Sequence, residues 1–247
     1  MTSAVLLLDI GNSRAKWALA QGREWLAEGV AAHGEIDRLL QEWDRFSPPA
    51  KVMACNVAGT ERAHVFSAYW QSRQVPMQWL QSSEKAAGVH NLYEPVGHLG
   101  SDRWAALIAA WARTHGACLV VSAGTAVTID ALSKKGEFLG GMILPGRQLM
   151  QNSLVTGTHA LEKHAGEISD FPRNTASAMA SGIATAVACA VSTGYRRLVE
   201  TGIQPPPCIV TGGDAEWLAS QLRFGVIIAP KLVLEGLLIM SQGGPRK

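Results

Sequence analysis

The sequence predicts an α/β protein built from two similar domains, and three observations carry that prediction. Short apolar runs rich in Val, Ile and Leu alternate with longer segments of helical periodicity, the pattern of strands interleaved with helices. The opening pattern Leu6-Leu7-Leu8-Asp9-Ile10-Gly11-Asn12 returns as Leu119-Val120-Val121-Ser122-Ala123-Gly124-Thr125, and a repeated supersecondary unit points to two related domains. The chain has 247 residues, 47% hydrophobic and 17% charged, enough to bury two ordinary cores.

The elements follow in order. The apolar run at 4–8 is preceded by no Lys or Arg and ended by Asp9, which reads as a buried strand and not a secretion signal. Gly11-Asn12 turns the chain. Strands at 15–20 and 25–30 complete an antiparallel meander. Ile36, Leu39, Leu40 and Trp43 recur at helical spacing, placing a helix over 35–46. A strand at 52–56, a helix over 61–72 and a short strand at 76–80 come next. A helix over 101–114 presents Trp104, Leu107, Ile108 and Trp111 on one face, with Ser101 as its N-cap. The domain boundary falls near His115-Gly116, giving domains of 1–115 and 116–247. The second domain repeats the three strands, the later two at 127–132 and 138–144. It continues through a loop-rich stretch over 156–173 and a long helix over 174–200. Pro205-Pro206-Pro207 bars a helix before a strand at 208–211. A helix over 214–221, a strand at 226–229 and a last helix over 232–240 finish the chain.

Composition excludes several function classes. The formal net charge is +2 with no Lys/Arg block, so no basic patch announces a nucleic-acid partner. Cys55, Cys118, Cys189 and Cys208 form no C-x-x-C pair and read as reduced core residues of a cytoplasmic protein. The apolar stretch over 225–240 contains Lys231 and Glu235, too short and too charged to span a membrane. The seven histidines show no metal-ligand spacing, and the eight tryptophans are scattered over apolar faces, where packing is their expected role.

Five short patterns carry chemistry. In Asp9-Ile10-Gly11-Asn12-Ser13-Arg14-Ala15-Lys16 a strand ends in a carboxylate and a glycine turn leads to a strand bearing a lysine. The turn can offer backbone N–H groups to an anion. Asp9 can hold Mg²⁺ directly or through water, and Lys16 can meet a phosphate. An ordinary hairpin with a surface lysine accounts for the same residues. Gly100-Ser101-Asp102-Arg103 opens a helix. The helix dipole should keep the pKa of Asp102 low, the carboxylate could accept a proton from an alcohol, and Arg103 offers a fork for a carboxylate or phosphate. Plain helix capping fits these residues equally. Gly124-Thr125, the Gly140-Gly141 and Pro145-Gly146 segment, and Gly212-Gly213 allow close approach of a nucleotide, or are simple turns.

Their order is more telling than any one of them. A D-x-G-N-[ST]-x-x-K turn, a G-x-D-R helix start, a G-T-A-x-T turn, a G-G-x-I-x-P-G segment and a late G-G turn occur together. Over essentially its full length the chain resembles the type III pantothenate kinases, of the acetate-kinase, sugar-kinase and actin superfamily. The resemblance implies two ribonuclease-H-like domains (the actin/sugar-kinase fold) with an interdomain active-site cleft. It implies phosphorylation of pantothenate by ATP to 4′-phosphopantothenate, the first step of coenzyme A biosynthesis. It assigns Asp9, Gly11, Asn12, Ser13, Lys16, Gly124, Thr125, Gly212 and Gly213 to ATP, with Asp9 toward Mg²⁺. Tyr93, Gly100, Ser101, Asp102, Arg103 and Thr175 fall to pantothenate, with Asp102 as proton acceptor. It further implies a homodimer, and a monovalent cation (K⁺ or NH₄⁺) whose usual Asp is replaced here by Ser122. Two alternatives share the fold: a regulatory accessory protein, and a kinase acting on a sugar.

Overall fold

The structure, a computed structural model, describes residues 3–158, 165–202 and 205–243. Residues 159–164 of the expected loop stretch lie outside the described residues. The chain separates into two compact units. One runs to Arg113 and regains the chain from Lys231 onward, and the other spans Thr114–Pro230.

In the first unit β1 (Val5–Ile10), β2 (Arg14–Gln21) and β3 (Glu24–Ala32) form the expected meander. After α1 (Ile36–Trp43) the chain lays β4 (Lys51–Asn56) parallel to β1, and after α2 (Thr60–Ser72) it lays β5 (Met77–Trp79) parallel to β4. The strand order is β3-β2-β1-β4-β5. A hairpin of β6 (Lys85–Ala86) and β7 (Val89–Asn91) precedes α3 (Ser101–Thr114). The alternation of apolar residues along these strands buries one aromatic cluster. Trp17 is 1% exposed and meets Trp43 edge-on at 5.7 Å between ring centroids, a favoured aromatic geometry. Trp17 lies opposite Gly29 on β3, where an added Cβ would collide with the indole at 2.7 Å, so the large and small residues are complementary across the pair.

The second unit repeats this plan. Its strands are β8 (Cys118–Ala123), β9 (Ala126–Leu132) and β10 (Glu137–Pro145), followed by α4 (Arg147–Gly157), α5 (Thr175–Val199), β11 (Cys208–Thr211), α6 (Ala215–Gln221) and β12 (Ile227–Ile228). The order is β10-β9-β8-β11-β12, with the same antiparallel and parallel pairings as the first unit. The Leu6–Leu119 repeat is therefore a repeat of topology. Asn174 caps α5 by accepting from the Ser177 N–H at 2.9 Å, which fixes where that helix starts. By length and composition α5 could cross a membrane, but Val187, Val191 and Leu198 belong to the buried core on β8, β9 and β11, which accounts for its apolarity.

Three details differ from expectation. The last helix, α7 (Leu232–Ser241), belongs to the first unit. Its Gly236 lies so close to the Ala105 carbonyl of α3 that no side chain fits there. Helix α4 occupies residues left without an element in the sequence reading, since its Leu149, Met150 and Leu154 make only a broken apolar stripe. Cys189 is exposed, unlike the other three cysteines, which are buried.

Candidate active site

In the first unit, strand register assembles the first group of side chains. Asp9 on β1 lies opposite Lys16 on β2 and opposite Cys55 on β4. Residues paired across a sheet share a face, so a lysine and a thiol flank the carboxylate. The Cys55 thiol donates to Asp9 Oδ1 at 3.3 Å. Beyond Asp9 the turn is closed by the Gly11 N–H donating to the Arg14 carbonyl at 3.0 Å.

Helix α3 starts against the end of β4. The Asn56 N–H donates to Ser101 Oγ at 3.3 Å, and that hydroxyl can donate back to the Asn56 carbonyl at 3.4 Å. Ser101 thus ties helix to strand and is not the N-cap. The Gly100 carbonyl takes the first helical bond, from the Trp104 N–H at 2.9 Å. Asp102 Oδ1 accepts from the Arg103 N–H at 2.8 Å. A Cβ on residue 100 would come within 2.8 Å of that same oxygen, so Gly100 makes room for the carboxylate. Arg103 is 6% exposed, and its guanidinium lies 5.5 Å from the centre of the Tyr93 ring, within cation–π range.

The electrostatics of this group differ from expectation in one respect. Burial raises the pKa of Asp102, outweighing the Arg103 N–H and guanidinium. The helix start does not hold it low, because desolvation of a carboxylate opposes and here exceeds a helix-end field. Burial, reinforced by Asp102, pushes Asp9 up to about 6, against the pull of Cys55 and Lys16. Burial and the two carboxylates hold the Cys55 thiol well above its usual value, so it stays a donor. Two carboxylates that oppose each other's ionisation suit a divalent cation. Mg²⁺ needs only one or two of them, because it keeps waters and takes phosphate oxygens. Among the described residues no group of three or more His, Cys, Asp or Glu forms a metal cage.

In the second unit three glycine turns meet backbone to backbone. The Gly146 N–H donates to the Thr125 carbonyl at 2.8 Å, and the Asp214 N–H to the Ala123 carbonyl at 3.0 Å. Gly212 has φ +101° and sits against the Ala123 carbonyl where any Cβ would overlap it, so only glycine satisfies both the conformation and the space. Thr125 and Gly213 are therefore parts of one surface, with Gly124 between the Ala123 and Thr125 positions. Sequence reasoning missed the neighbours of this surface. Arg147, at the start of α4, lies 3.6 Å from an Asp214 carboxylate oxygen and 5.0 Å from the centre of the Trp217 ring. The Pro-Gly before Arg147 was the available signal. Cys55 was missed too, and only strand register could have revealed its pairing with Asp9.

Ser122 occupies on β8 the place that Asp9 holds on β1. Its partners in register are Thr128 and Thr211, so a row of hydroxyls replaces lysine, carboxylate and thiol. Thr128 Oγ1 is buried without a hydrogen-bond partner. Thr175 lines a groove of about 500 Å³ between α4 and α5, with Met150, Leu154, Met179 and Ile183.

Known proteins place this arrangement. The family profile described as type III pantothenate kinase matches residues 5–197. A type III pantothenate kinase of Nitrosospira multiformis is 43% identical over 98% of this chain and 92% of its own length. One from Chromobacterium violaceum is 42% identical over 94% and 97%. Among solved structures, a Campylobacter jejuni protein assigned to the Baf family of transcriptional activators has a TM-score of 0.62 at 25% identity, covering 96% of this chain and 98% of its own. A Sinorhizobium meliloti protein assigned as a 2-dehydro-3-deoxygalactonokinase has a TM-score of 0.59 at 15% identity, covering 97% and 98%. That last likeness concerns the fold, which is the mixed α/β plan of the sugar kinases with two ribonuclease-H-like domains.

Proposed function

This chain belongs to the type III pantothenate kinase family, and on that premise we propose how its residues divide the work of the reaction. The enzyme transfers a phosphoryl group from ATP to pantothenate, giving 4′-phosphopantothenate and ADP at the entry to coenzyme A biosynthesis. The observation that supports the division is the part-buried Asp9–Asp102 pair, one carboxylate at a phosphate-type turn and the other at a helix start.

The turn from Gly11 to Ser13 and Lys16 bind ATP phosphates. Gly124, Thr125, Gly212 and Gly213 approach the rest of the nucleotide. Asp9 would hold the Mg²⁺ carried with ATP, which when bound would neutralise phosphate charge. Asp102 accepts the proton of the pantothenate hydroxyl. In a loose phosphoryl-transfer transition state such a base chiefly orients the attacking oxygen and takes its proton late. Arg103, within cation–π reach of Tyr93, pairs with the pantothenate carboxylate through its planar fork, and Gly100, Ser101 and Thr175 complete the acceptor contacts. Arg103→Lys keeps the charge and loses the fork. It is expected to raise the KM for pantothenate about tenfold or more and to leave the KM for ATP unchanged. Equal KM values for pantothenate in mutant and wild type would remove Arg103 from carboxylate recognition.

The protein acts in the cytoplasm as a homodimer. The first half of α5 is mostly Ala, Ser, Thr and Gly, which permits close helix packing. Light scattering at micromolar concentration is expected to give twice the chain mass of 26.3 kDa; a single chain mass contradicts the dimer. K⁺ or NH₄⁺ would be held weakly or not at all at the Ser122 row, because hydroxyls supply neutral oxygens where a carboxylate would supply charge. Titration with KCl against a bulky organic cation at constant ionic strength is expected to show shallow activation, sharpened in Ser122→Asp. Saturable activation at low millimolar K⁺ in the wild type contradicts weak binding.

A further inference from the structure

A turn that presents N–H groups to phosphate works only if its peptide planes are held, and in this turn one such hold comes from a side chain outside it. The Gly11 carbonyl lies 2.8 Å from His33 Nε2, across 22 residues of sequence. The local fold explains the meeting. Ala32, the last residue of β3, is in register with Arg14 at the far end of the turn, so the chain leaving β3 passes beside the turn. The Ala32 N–H donates to Glu35 Oε2 at 3.2 Å, fixing the short helical turn that carries His33. A carbonyl can only accept, so Nε2 carries the hydrogen. The other ring nitrogen, Nδ1, is buried without a partner, and no competing bond draws the ring away from Gly11.

A peptide group is planar and trans, so the Gly11 carbonyl and the Asn12 N–H are fixed in one plane and point opposite ways. Holding the carbonyl holds the N–H. We propose that His33 is a positioning residue of the phosphate turn, whose imidazole clamps the Gly11–Asn12 peptide and keeps the Asn12 N–H aimed at an ATP phosphate. The inference rests on assigning the Gly11–Ser13 turn to ATP, and its test includes a variant of that assignment.

The test compares His33→Ala, His33→Gln and Lys16→Ala in the full chain. Glutamine places an amide N–H at nearly the reach of Nε2. His33→Ala is expected to raise the KM for ATP roughly three- to tenfold, the scale of one net hydrogen bond, with the KM for pantothenate unchanged. It is also expected to move the Asn12 amide resonance in the ¹⁵N–¹H spectrum of the ligand-free protein. His33→Gln restores both. If His33→Ala leaves the ATP KM and the Asn12 resonance at wild-type values, the proposal is wrong. If His33→Gln is as impaired as His33→Ala with an equal loss of thermal stability, His33 is only a structural residue. A raised ATP KM in Lys16→Ala beside a normal one in His33→Ala sinks the clamp and spares the turn. Normal ATP KM values in both sink the two together.

Discussion

Asp102→Asn is expected to lower kcat by at least about a hundredfold, the scale of a lost general base, while the KM for ATP changes little. Asparagine has the shape of aspartate and still offers an oxygen to the Arg103 N–H, which Asp102 Oδ1 accepts at 2.8 Å. What it lacks is proton affinity and charge. The substitution therefore separates catalysis from helix capping, since a residue that only caps would leave both stability and turnover near normal. The wild-type pH profile bears on the same point. Burial raises the Asp102 pKa, so the ionised, proton-accepting form is lost as pH falls through that raised value. A wild-type acid limb in kcat that survives in Asp102→Asn would assign the limb to another group. Near-normal turnover of the mutant would remove Asp102 from the mechanism.

Asp9→Asn is expected to reduce kcat/KM for MgATP by at least the roughly 10- to 100-fold seen when groups supporting a metal ligand are lost, and to raise the Mg²⁺ concentration needed for half-activity. The same substitution should stabilise the ligand-free protein at neutral pH. The folded-state pKa of Asp9 is about 6 against an ordinary 3.8, so the native state holds the proton more tightly than the unfolded state. Ionised Asp9 thus costs stability above pH 6, by less than about 3 kcal/mol after allowance for solvent screening. The cost disappears as pH falls from about 6 toward 3.8. The melting temperature of Asp9→Asn is expected to exceed that of the wild type at pH 7.5, with the gap closing toward pH 4. A mutant less stable than wild type at pH 7.5 would contradict the burden placed on Asp9. Full activity in the mutant would contradict its link to metal and ATP.

The two halves of this prediction show why the site was only partly legible in the sequence. The meander, the repeat and the helix over 174–200 are local signals, carried by period and turn residues. They translated directly into β1–β3, into the matched strand orders of the two units and into the start of α5. The glycine turns of the second unit were legible as turns because the positive φ of Gly212 is a local demand. What depends on chain segments far apart was not. Cys55 meets Asp9 across 46 residues through strand register, and nothing near Cys55 announces it. Helix α7 packs on β1, β2 and β4, a meeting of distant segments that its own apolar sequence does not announce. The pKa of Asp102 was misread because a local rule, the helix dipole, was applied where burial by distant segments decides the sign.

This chain phosphorylates pantothenate, and in the proposed division of roles the carboxylate of Asp102 serves that alcohol. The most direct measurement follows ADP release with purified protein, MgATP and a panel of acceptors: pantothenate, pantothenate amides lacking the carboxylate, and common hexoses. Saturable ADP release with pantothenate, formation of 4′-phosphopantothenate by mass spectrometry, weaker release with the amides and none with the hexoses is the predicted result. Phosphorylation of a hexose in preference to pantothenate, or no acceptor-dependent ADP release at all, would contradict the account.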